Sequence, residues 1–98
     1  MSNLTVANTI FSQLGGHKFS AMTGAKHFVG GEDFLQFAIP LTNKINRVSI
    51  TLTPLDTYTV KFMYVRGMSV VDRAIIDDVY CTDLLDVFEY HTGLATKL

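Results

Sequence analysis

The side chains here with chemistry beyond packing are three histidines, one cysteine and a run of carboxylates near the C-terminus. A metal site needs three or four converging ligands, usually begun by a local pair such as two histidines one helical turn apart. His17, His27 and His91 form no such pair. His17 and His27 fall on neighbouring β elements with Glu32 or Asp33 close by and could approach one another, but exposed strand histidines are the better reading. Cys81 is the single cysteine, so one chain holds no internal disulfide and no cysteine-based zinc site. A thiol becomes a nucleophile when a base or positive field lowers its pKa. Asp77, Asp78, Asp83 and Asp86 flank Cys81 and act in the opposite direction.

Those acids invite a carboxylate-metal reading of their own. Asp83 and Asp86, three apart, share a helical face, whereas Asp78 and Asp83 do not. No calcium-loop spacing with its glycine is present, and acids in a first helical turn complement the helix dipole without any metal. Thr23-Gly24-Ala25-Lys26 hints at a phosphate loop. That loop requires Gly-x-x-x-x-Gly-Lys-Ser/Thr between a strand and a helix; here alanine separates glycine from lysine and a strand follows, so a turn is the better reading. Spacing assembles no nucleophile, base and oxyanion donor. The expectation is therefore no catalytic residue, no metal and no cofactor: a chain that is not an enzyme.

Two binding surfaces remain. Arg47 and Lys61, joined by Lys18, Lys26 and Lys44, could neutralise phosphates on a polar sheet face, with Phe19, Phe28, Tyr58 or Tyr64 stacking on bases. The pI of 6.2 is low for a strong nucleic-acid binder. At the other end, Asp83, Asp86, Glu89 and Tyr90 offer an acidic surface with one aromatic to a basic protein partner. Lys18, Lys26, Lys44, Arg47, Lys61 and Arg66 in residues 1–66 outnumber three acids, while residues 67–98 carry two cations against six acids. That split suits two opposed surfaces, and helix-terminal acids on a solvated face are the better account of it.

The elements that must position these residues follow from periodicity. Leu4, Ala7, Ile10 or Phe11 and Leu14 recur at helical spacing, with Ser2, Asn3 or Thr5 as caps and Gly15-Gly16 as the stop. From residue 17 the period falls to two. His17–Met22 alternates, Lys26–Val29 is a short strand, and Gly30–Asp33 turns into Phe34–Ile39, which Pro40 ends. Asn46–Thr53 and Thr59–Arg66 pair next. An odd loop keeps their apolar residues on one face, and the five residues Pro54 to Tyr58 set Leu52 opposite Val60, Ile50 opposite Phe62 and Val48 opposite Tyr64. Residues 68–78 read either as a helix opened by the Ser69–Asp72 capping box or, from Val70-Val71 and Ile75-Ile76, as a strand. From Val79 on, Tyr80, Leu84, Val87 or Phe88 and His91 recur at helical spacing. Thr82 or Asp78 is the cap and Gly93 the stop.

The expected fold is one α+β domain over residues 1–98. It has an N-terminal helix, an antiparallel β-meander of four to five strands and a C-terminal helix, with the helices on one face of the sheet. A sheet of this kind has two edge strands, and pairing them across a two-fold axis is an economical route to a homodimer.

Leu14-Gly15-Gly16-His17-Lys18-Phe19 followed by Met22-Thr23-Gly24-Ala25-Lys26 and Phe28 resembles a run in small proteins of phages and mobile elements. Asn46–Val48, Leu52–Pro54 with Asp56–Tyr58, and Tyr80–Leu84 with Phe88 and Thr92–Leu94 are similar too. The resemblance spans most of the chain and carries no activity with it. It implies a phage or prophage origin, and it favours a strand at residues 69–76.

Composition bounds the rest. The chain has 98 residues, 48% of them hydrophobic and 17% charged, and a mean hydropathy of +0.26, which excludes intrinsic disorder. No apolar run approaches the ~20 residues of a membrane helix, and the first residues lack a secretory pattern. The expectation is a soluble cytoplasmic accessory protein with no membrane role. It acts through protein contact, with itself or a host protein; the alternative is weak binding of single-stranded nucleic acid.

Overall fold

A computed structural model describes residues 4–96. Helix α1 (Thr5–Leu14) and helix α2 (His17–Thr23) lead into five strands, β1 (Lys26–Gly30), β2 (Phe34–Thr42), β3 (Ile45–Leu52), β4 (Tyr58–Arg66) and β5 (Ser69–Val79). A short 3-10 turn at Cys81–Asp83 precedes helix α3 (Leu84–Thr92). The strands form one antiparallel sheet in chain order, β1-β2-β3-β4-β5. The class is α+β, with a five-stranded meander and the helices packed on one of its faces.

Helix α1 buries Ala7, Ile10 and Leu14, the stripe that its spacing implies. Leu4 stands at its N-cap position without a side-chain cap bond. Thr5 lies inside the helix, and Ser2 and Asn3 lie outside the described residues. Gly15 and Gly16 both have positive φ (117° and 62°), which lets the chain reverse at once into a second helix.

That second helix corrects the strand expected at His17–Met22. Its buried residues are Phe19 and Thr23, four apart, and Ala21 is exposed. The working period is therefore helical. Thr23 Oγ1 donates to the Phe19 carbonyl at 2.8 Å and accepts the Ala25 N–H at 3.2 Å, closing the helix end.

Phe19 binds the layers together. Its ring meets Phe37 of β2 at 5.5 Å and Phe88 of α3 at 5.1 Å in edge geometry. Phe28 meets Phe37 at 5.3 Å and Phe11 at 5.1 Å. This aromatic cluster joins α1, α2, β1, β2 and α3. Val48, Ile50, Val60 and Phe62 extend the core along β3 and β4.

Pro40 interrupts the β2–β3 ladder without ending β2. Pairing shifts between Ala38↔Arg47 and Thr42↔Ile45, and the strand runs on to Thr42. Asn43 and Lys44, with φ of 50° and 59°, then make the two-residue turn that such a hairpin prefers. The same corner receives the end of α3. Thr42 Oγ1 donates to the Thr92 carbonyl at 2.8 Å and Asn43 Nδ2 to the His91 carbonyl at 3.2 Å, which satisfies acceptors that a helix C-terminus leaves open.

The β3–β4 loop is odd, as expected, but comprises Thr53 to Thr57. Leu52 therefore faces Tyr58, Ile50 faces Val60 and Val48 faces Phe62, a register two residues away from the one expected. The division into an apolar and a polar face is the expected one. Residues 69–79 are strand. The C-terminal helix begins at Leu84, so Tyr80, expected on its apolar face, is extended and exposed ahead of the 3-10 turn.

Candidate interaction surfaces

The sheet face turned away from the helices is set by register. Paired residues point the same way, so Lys26 with Ala38, Arg47 and Met63 forms one row, and Gln36, Ser49, Lys61 and Ile75 form the next. Phe34, Thr51 and Thr59 continue the face. Lys26, Arg47 and Lys61 thus share a surface. Lys18 does not: it lies on α2, whose Phe19 packs into the core on the opposite side.

That face is less basic than the sequence suggested. Lys61 Nζ lies 4.0 Å from Asp72 Oδ2 on β5, and Asp77 accepts the Thr59 hydroxyl at 3.0 Å. Arg47 is half-buried beside Met63, and its Nε is buried without a hydrogen-bond partner. Three cations therefore meet two carboxylates.

The aromatics expected to stack on bases are elsewhere. Phe19 is fully buried and Phe28 packs between Phe11 and Phe37. Tyr64 pairs with Val71 on the helix-covered side. Tyr58 is buried, and its hydroxyl donates to Gln13 Oε1 at 2.7 Å, tying β4 to α1. Burial pushes the Tyr58 phenol above its ordinary pKa. Nearby Cys81 and Asp56 act in the same direction.

The C-terminal candidates come together in part. Asp83, Asp86 and Tyr90 line an open groove of about 470 Å³ between α3 and β5, shared with Asp77 and Asp78 and floored by Ile76, Val79 and Val87. No lysine or arginine lines it. His91 closes one end, stacked on Phe62 at 4.8 Å and touched edge-on by Tyr90 at 5.0 Å. Tyr90 itself is 83% exposed. Glu89 does not belong to the groove: it is half-buried, and its Oε2 accepts the Thr96 N–H at 3.3 Å.

One exposed apolar feature lies outside the candidate site residues. Strand β5, eleven residues long, is an edge of the sheet. Val70, Val71 and Ile75 on it are 59%, 47% and 54% exposed. The two β-branched pairs that marked this segment as a strand were the available signal. Being last in a meander is what makes that strand an edge.

Among the described residues no three His, Cys, Asp or Glu side chains converge on a metal position, and Cys81 is exposed and free. No described helix is long and apolar enough to cross a membrane. Compared with known protein families, curated proteins and solved structures, the chain matches none.

Proposed function

We propose that this chain is a small, non-enzymatic, cytoplasmic accessory protein of phage or mobile-element type that acts through protein–protein contact. The observation carrying this reading is the uncapped β5 edge, with Val70, Val71 and Ile75 exposed along it and an acidic groove beside it. An open edge offers a row of backbone donors and acceptors to an incoming strand. The exposed β-branched side chains add apolar area on both faces, and Asp83, Asp86 and Tyr90 extend the surface onto α3.

A second reading, weak binding of single-stranded nucleic acid, draws support from Lys26, Arg47 and Lys61 sharing the open face. Asp72 and Asp77 beside them, and the burial of Phe19 and Tyr58, count against it.

The test compares a tagged wild-type chain with Ile75→Lys and with Arg47→Glu plus Lys61→Glu. Protein partners or self-association lost in the first variant and kept in the second support edge contact. An oligonucleotide that co-elutes at low salt, dissociates as salt rises and is lost with the double reversal would replace this reading with the nucleic-acid one.

A further inference from the structure

The two edges of the sheet differ in what an incoming strand would find, and the β5 edge carries a pattern that complements itself. Its pairing with β4 is uninterrupted at Ala74, Ile75 and Ile76, which face Phe62, Lys61 and Val60. On either side β5 holds one extra residue, so the ladder shifts between Ala74 and Asp72 and again between Ile76 and Val79. The regular stretch of the edge is therefore Ala74 to Ile76, flanked by Arg73 on one side and Asp77 on the other, each at a register shift. Arg73 is exposed and has no ion-pair partner among the described residues. Asp77 is exposed, and its Oδ1 accepts one neutral hydroxyl, that of Thr59.

Two antiparallel strands related by a two-fold axis place residue i−n of one opposite i+n of the other. With Ile75 on the axis, Ile75 meets Ile75 and Ala74 meets Ile76. Arg73 meets Asp77, and symmetry makes that charge pair occur twice. Small opposes large and positive opposes negative. A register centred on Ile76 would instead set the branched Ile75 against Asp77. One centred on Ala74 would bring Arg73 against Ile75.

We propose that the partner of β5 is a second copy of this chain, joined edge to edge about Ile75 into a continuous ten-stranded antiparallel sheet. This rests on the edge-contact reading above and names its partner. Pairing closes the unpaired backbone groups of the longer edge, covers the 54%-exposed Ile75 with its own equivalent and neutralises Arg73 and Asp77. Ile76 and Asp77 also line the acidic groove, so the new interface borders it.

The experiment is light scattering of the purified full chain over a dilution series, with circular dichroism to verify folding. Wild type is expected at twice the 10.9 kDa chain mass. Arg73→Asp and Asp77→Arg each put like charges in two symmetric positions, and each should weaken the dimer by about tenfold or more. The combined exchange, Arg73→Asp with Asp77→Arg, restores opposite charges and should recover most of that loss. Ile75→Lys should give monomer.

A wild type of single-chain mass throughout overturns the proposal, and so does a dimer indifferent to the single reversals or a double exchange no better than either single. If wild type is monomeric but Ile75→Lys still abolishes capture of another protein, the second copy falls and edge contact stands. If Ile75→Lys changes neither mass nor capture, both fall.

Discussion

Edge strands β1 and β5 bound the same sheet and are built on opposite terms. Strand β1 has five residues, a register shift between Lys26 and Val29, and left-handed His27 within that shift. Phe28 anchors it in the aromatic cluster, and Gly30 passes so close to α1 that a Cβ there would lie 2.7 Å from the Ala7 Cβ. Strand β5 has eleven residues, one of them buried, and few contacts beyond β4. Strand β5 also carries register shifts and a left-handed residue, Asp78, so length and anchoring separate the edges. A short, anchored one resists further pairing. A long one with exposed valines and isoleucine invites it. The aromatic packing lies toward one edge of the sheet, and Val70, Val71 and Ile75 are exposed along the other.

The largest effect should separate those halves. Phe37→Ala removes the ring that meets Phe19, Phe28 and Phe88, and should cost about 3–5 kcal/mol in denaturant unfolding. The matching truncation on the open side, Ile75→Ala, read at a dilution where single chains prevail, should change stability by no more than about 0.5 kcal/mol. Similar losses from the two would end the distinction.

Next is the close approach itself. Gly30→Ala forces α1 and β1 apart, because the new methyl also lies 3.3 Å from Leu4 Cδ2. A loss of about 1–3 kcal/mol by thermal or chemical melting is expected.

Tyr58 tests the seam between the halves. Tyr58→Phe deletes the bond to Gln13, at a cost of about 0.5–1.5 kcal/mol. Its folded pKa is raised above the unfolded value of about 10, so the fold favours the neutral phenol. The corresponding stability is fully present below the unfolded pKa and declines as pH rises through the raised folded value. Wild type should thus lose alkaline stability that the phenylalanine variant keeps, and one tyrosine should ionise later than the rest in an absorbance titration.

The smallest effect concerns the polar face. Lys61 and Asp72 are both substantially exposed and only 4.0 Å apart, so Lys61→Ala should alter unfolding free energy by about 0.5 kcal/mol or less. A larger loss would mean that this ion pair secures β5 to the sheet and that the open edge is more firmly held than its exposure implies.

The candidate surfaces were legible to different degrees. Arg47 and Lys61 alternate with Val48, Val60 and Phe62, which suffices to put them on the polar face. Lys26 shares the parity of core Phe28 and reaches that face only through the register shift at His27. Lys18 sits in a six-residue window that fits a strand or less than two helical turns equally well. Only the burial of Phe19 and Thr23 separates the two. Asp83 and Asp86 were found from helical spacing, whereas Glu89 turns to the Thr96 backbone, a contact seven residues away that spacing on the helix does not reveal.

The amino-acid sequence alone determined the local rules: the apolar stripe of α1, the glycine stops, the two faces of β3 and β4, and the odd loop between them. Those features depend on neighbours a few residues apart. Tertiary structure decided the register, because a side-chain pattern of period two is unchanged by a slip of two residues. The choice fell to the loop, where the Thr53 N–H bonds the Thr57 carbonyl at 2.8 Å and Asp56 takes a φ of 61°. It also decided which aromatics are core and which strand is left without a neighbour, since both depend on residues distant in the chain meeting in space.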